Sequence, residues 1–125
     1  PDMARVAIPI TEITAAGVAE GAGTAADPTN DHYIDCSTVP LEELVIRFAN
    51  TNGSDRVATI VAGDNPPADA SGQGTKDITV PATTGVMYVG GLESARYIQN
   101  DSTVLIDLAT SFAGTVRAFH LPRNA

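Results

Sequence analysis

His32, Asp35 and Cys36 fall within five residues of one another, and a thiol beside an imidazole and carboxylates is the raw material of nucleophilic catalysis. The spacing argues against that use. On an extended chain, residues four apart are separated by about 13 Å at roughly 3.3 Å per residue, beyond proton-transfer reach. Nothing basic stands beside Cys36 to lower its pKa, so it reads as a small buried hydrophobe. The second histidine, His120, stands near the far end of the chain with no sequence partner for general acid–base work. Carboxylates recur at Asp27, Asp31 and Asp35, and again at Asp64 and Asp69 in the segment GDNPPADASGQG. Neither set has the spacing of a calcium-binding helix–loop–helix site, so a solvated acidic loop is the expectation, with calcium uptake left open. The run GAGTAA at Gly21 to Ala26 resembles a phosphate-binding glycine loop but neither follows a strand nor opens a helix. Asn52-Gly53-Ser54 and Asn100-Asp101-Ser102 fit the glycosylation pattern and read as turn chemistry. No catalytic residue, metal ligand or cofactor is assigned.

With so little chemistry, the composition sets the frame. The chain has 125 residues, which is one domain's worth of core. Fifteen acidic residues against seven basic ones give a net charge of −8, which repels phosphate backbones and anionic membrane surfaces, so direct nucleic-acid binding and membrane attachment are not expected. One cysteine permits no internal disulfide. No apolar run approaches the roughly 18 residues of a membrane span, and no signal peptide is evident. An unexported, soluble chain is expected.

The charge is unevenly spread: residues 1–43 carry −7 and residues 44–125 carry −1. The division predicts an extended N-terminal arm and flexible loop over residues 1–30 and a β domain over 31–125. In the arm, Arg5 to Ile13 is apolar and extended, with Val6, Ile8, Ile10 and Ile13 around Pro9, and the glycine- and alanine-rich stretch 15–28 follows. From His32 onward the period is two. Strands are expected at 32–38, 44–49, 56–62, 76–81, 86–89, 95–99, 103–109 and 115–121, with a hairpin turn at Asn50 to Asp55 and one helical turn near Pro40. The fold class is all-β: an antiparallel β-sandwich or jelly-roll-like barrel of about eight strands. The expected core runs Ile34, Leu44, Ile46, Phe48, Val57, Ile60, Ile78, Val80, Val86, Tyr88, Ile98, Val104, Ile106, Leu108, Val116, Phe119 and Leu121. The loop from Gly63 to Gly74 exceeds what a hairpin needs; Pro66 and Pro67 stiffen it, and with Asp64 they form a candidate contact surface.

The segments AGDNPPADASGQG (62–74), DITVPATTG (77–85), GGLESARYIQND (90–101) and GTVRAFHLPR (114–123) together resemble small capsid decoration, or cement, proteins of tailed bacteriophages, particularly those of actinobacterial phages. The likeness runs from the NTNGSD turn to the end of the chain. It implies a non-enzymatic β protein that assembles in the bacterial cytoplasm, attaches to the major capsid protein on the outside of the virion head, forms a homo-oligomer (trimer or dimer), and braces the shell. Within that picture the arm residues Val6, Ile8, Ile10 and Ile13 have two uses: strand addition to a neighbour, or an edge strand of their own domain. The competing reading is a tail or fibre module that binds a receptor or carbohydrate. Three tyrosines and no tryptophan are poor material for a sugar platform.

Overall fold

In the computed structural model of the chain, residues 5–63, 75–92, 97–99 and 101–122 are described. Alternation dominates the central strands. From Leu44 to Asn50, Leu44, Ile46, Phe48 and Asn50 are buried while Val45, Arg47 and Ala49 are half-buried, and this phase commits one face of the strand to the core. Among the described residues ten strands form: β1 (Val6–Ala7), β2 (Ile10–Glu12), β3 (Thr24–Ala25), β4 (His32–Asp35), β5 (Leu44–Asn50), β6 (Arg56–Ile60), β7 (Lys76–Val80), β8 (Gly85–Val89), β9 (Thr103–Leu108) and β10 (Gly114–His120). One 3-10 turn, Leu41–Glu43, precedes β5, at the expected place.

The strands make two sheets. The first has the order β1-β4-β9-β6-β7; the second has β2-β10-β5-β8, with β3 also on β10. β2 meets Ala118 to His120 and β3 meets Thr115 and Val116, so the two lie end to end along the edge of β10 away from β5. Residues of both sheets, among them Ile34, Ile60, Val80 and Ile106 from the first and Ile46, Phe48, Val116 and Ala118 from the second, share one apolar cluster. The architecture is nearly all-β and sandwich-like, and the two sheets are not closed into one barrel.

Several expectations need correction. The sheets are mixed rather than antiparallel, because β1 runs parallel to β4 and β2 parallel to β10. The NTNGSD segment is not a hairpin: β5 pairs with β8 and β10, β6 pairs with β7 and β9, and the segment carries the chain from one sheet to the other. The cause is Asn50. Its buried amide donates to the carbonyls of Ser54, Val80 and Pro81, and its Oδ1 accepts the Asn52 N–H, so the turn is built around an interior side chain and not around an Asn-Gly backbone reversal. Tyr97 to Gln99 form no strand; Gln99 instead turns inward, and its side-chain amide donates to the Ala62 carbonyl. Val86 and Tyr88 are outside, because the register sets Val89 and Gly85 opposite the inward Ile46 and Asn50; Met87, opposite Phe48, lies on the inward phase but is left 37% exposed at the sheet's edge. Leu121 is half exposed, and Val57 yields the inward position on β6 to Ala58. Gly114 opens β10 at φ 120°, where a Cβ would lie 2.1 Å from the Ala49 carbonyl oxygen, so only glycine fits.

Candidate docking surface

The apolar residues of the N-terminal segment lie on the body of the chain itself. Val6 pairs with His32, Ile8 is 2% exposed and belongs to the core, Ile10 packs against the core, and the Ile13 N–H donates to the His120 carbonyl. Burying one such side chain contributes about 1.5–3 kcal/mol. Polar contacts hold the same segment. Arg5 donates to the carbonyls of His32 and Ile106 and pairs with Asp107 at 2.8 Å.

Both histidines serve this attachment. His32 is fully buried on β4, with Nδ1 3.1 Å from the Val6 carbonyl and Nε2 accepting the Asp27 N–H at 3.0 Å. Those partners require the neutral ring with its hydrogen on Nδ1. His120, at the end of β10, has Nε2 2.7 Å from Glu43 and Nδ1 2.6 Å from Glu12. Two carboxylate partners need two donors, so the ring is the imidazolium, and the hydrogen bonds to Glu43 and then Glu12 raise its pKa above the usual 6.5. His120 therefore fastens β2 to the 3-10 turn.

The acidic residues also act on the backbone. Asp27 accepts the N–H groups of Asn30 and Thr29, which holds its carboxyl below the ordinary range. Asp31, itself at φ 64°, accepts the Leu108 N–H, and Asp35 accepts the Ser37 N–H. Among the described residues no three potential metal ligands come together. Asp64, Pro66 and Pro67 lie outside the described residues. Cys36 is buried, and burial pushes its thiol up to about 11, which leaves it protonated and unreactive near neutrality.

Among the described residues, three of the five exposed large apolar side chains stand together on β8, at the edge of the second sheet. Val86, Met87 and Tyr88 are 37%, 37% and 64% exposed on a strand that, among the described residues, pairs on one side only. The strand's own sequence lacks the usual devices against pairing. β1 and β2 are two and three residues long, and β7 carries Lys76 and Asp77, whereas Gly85 to Val89 holds neither charge nor proline. Behind the edge, Arg47 on β5 and Arg117 on β10 face each other in direct register. Like charges so placed repel, and an anion relieves them. Glu20 supplies it: Oε2 is 3.0 Å from Arg47 Nε, and Oε1 is 3.8 Å from Arg117 Nε. Arg117 also donates to the carbonyls of Gly21 and Ala22, and Arg47 donates to the Tyr88 hydroxyl at 3.3 Å with its guanidinium 6.0 Å from the ring centre. Gly23, at φ 79°, comes so close that a Cβ would sit 3.0 Å from Arg117 Cζ.

Glu20 belongs to a strap, residues 14–23, in which every residue is exposed. Ion pairs with so exposed a partner contribute about 0.2–1 kcal/mol. The strap is thus lightly held. In the sequence this cluster has a single signal, Glu20, the one charged residue between Glu12 and Asp27. Compared with known protein families, curated proteins and solved structures, the chain matches none of them.

Proposed function

We propose that the chain is a non-enzymatic structural protein that decorates a tailed-phage head, binding the outer surface of the major capsid protein lattice and holding subunit junctions together. The observation that carries this reading is the uncharged β8 edge, unpaired among the described residues, with Val86, Met87 and Tyr88 exposed on it, since such an edge gains backbone hydrogen bonds and apolar burial by adding a strand from another chain. The polar groups suited to catalysis are otherwise engaged: His32 and His120 hold the N-terminal segment, and Cys36 is buried. We also read the connectivity as a jelly roll. Taken from β3 onward, the chain distributes its strands as β3-β10-β5-β8 and β4-β9-β6-β7, crossing between sheets at each step except the β6–β7 hairpin, which supports two interlocked Greek keys. Attachment as a dimer or trimer is part of this proposal, because many copies on one lattice multiply a modest contact.

The test is co-sedimentation of the purified chain with expanded heads that lack it. Wild type binds, whereas Val86→Lys, which puts a charge on the edge while leaving the core untouched, lowers attachment by about tenfold or more at an unchanged thermal melt. Equal attachment of the two removes β8 from the interface, and no attachment of either removes the decoration reading. A sugar-binding module finds less support, since Tyr88 is the one aromatic side chain more than a third exposed.

A further inference from the structure

We propose that Arg47 and Arg117, with the Tyr88 hydroxyl, form a recognition site for a carboxylate carried on an extended segment of a protein partner, and that the Glu20 strap is its built-in occupant. The site is independent of whether that partner is a capsid.

The occupant defines the ligand chemistry. One carboxylate spans both arginines, and the two peptide carbonyls that follow it, of Gly21 and Ala22, accept hydrogen bonds from Arg117 at 3.1 Å each. The arginines therefore read an acidic residue together with the backbone after it, a pattern that an acidic peptide supplies and a bare anion does not. The pair is built for this duty. In a chain of net charge −8, two of seven basic residues are set opposite each other on adjacent strands, largely covered, at 17% and 14% exposure. Without an anion that placement is unfavourable.

The strap has the properties of a displaceable occupant. All its residues are exposed, Gly17, Gly21 and Gly23 have positive φ, and its remaining hydrogen bonds run within it between Thr14 and Gly17. Its ends are fixed, by β2 against His120 and by β3 against Thr115 and Val116, so it can lift without unfolding the sheet. A segment arriving from the open β8 side meets Tyr88 first and then Arg47. The observed arrangement is thus a closed state in which the chain's own glutamate competes with an incoming one.

Binding of a fluorescein-labelled peptide with the strap's own sequence, GVAEGAG, to the full chain tests this by anisotropy. Glu20→Gln removes the internal competitor and binds the peptide about tenfold more tightly than wild type; Glu20→Gln combined with Arg47→Gln loses that gain, and a peptide with glutamine for glutamate does not bind. Equal affinity of wild type and Glu20→Gln overturns the proposal, as does absence of binding by Glu20→Gln. Displacement of the peptide by equimolar inorganic phosphate or by a poly-U oligonucleotide also overturns it, because the site would then read charge and not a peptide carboxylate.

Discussion

At the scale of single residues, His120 ties protonation to stability. Its folded pKa is raised by Glu43 and Glu12, so the stabilisation is complete below the unfolded value near 6.5 and is lost as pH rises through the higher folded value. Thermal melts from about pH 6 to about pH 9 should fall for wild type, and His120→Gln, which keeps one donor and cannot titrate, should flatten that slope. Parallel curves for the two proteins would assign the pH dependence elsewhere. His32 makes a different demand. Replacement by alanine leaves the part-buried Val6 carbonyl and Asp27 N–H without their partner and opens a cavity at a fully buried position, so His32→Ala should cost about 2–4 kcal/mol in denaturant unfolding. The structural character of both rings was legible from the missing nucleophile–base spacing. Their partners were not, because each ring bonds at least one residue distant in sequence: Val6 for His32, beside the nearer Asp27, and Glu12 and Glu43 for His120.

At the scale of elements, the N-terminal segment is where sequence and structure differ most in emphasis. Its apolar, extended character was plain from Val6 to Ile13, yet whether it lies on its own sheets or on a neighbour's depends on free edges, and a single sequence does not display edges. In the structure it covers β4 and β10, with Ile8 as its anchor. Ile8→Ala should therefore destabilise the chain by about 2–4 kcal/mol, whereas Val18→Ser on the exposed strap should stay within about 0.5 kcal/mol. Equal, small effects would mean that the segment does not rest on the body in solution. Strand positions were readable for β4 to β7, β9 and β10, whose runs alternate or are β-branched. The β8 phase was not: in Gly-Val-Met-Tyr-Val every side chain but glycine's is apolar, so polarity does not distinguish the faces, and pairing with β5 decides it. Asn50 was likewise hidden, since an asparagine before Asn-Gly resembles any turn residue until its amide is found inside.

At the scale of the whole molecule, one apolar core joins two sheets, acidic side chains brace the turns, and the second sheet carries the opposed arginines on its outward face and, among the described residues, an unpaired edge at β8. A net charge of −8 keeps copies apart in solution except where an uncharged surface meets a complementary one, and β8 is such a surface. On this account, attachment should weaken little between low and physiological salt, because the edge contact is made by backbone hydrogen bonds and apolar burial. The central claim is that the chain works by lending its surface to a larger shell. If, as proposed, a tailed phage encodes the chain, the claim's most direct test is the copy number of the chain on that phage's purified virions, measured by quantitative mass spectrometry against the major capsid protein. A fixed ratio commensurate with the capsomers is the predicted result; virions without the chain, while it accumulates alone in infected cells, would contradict it.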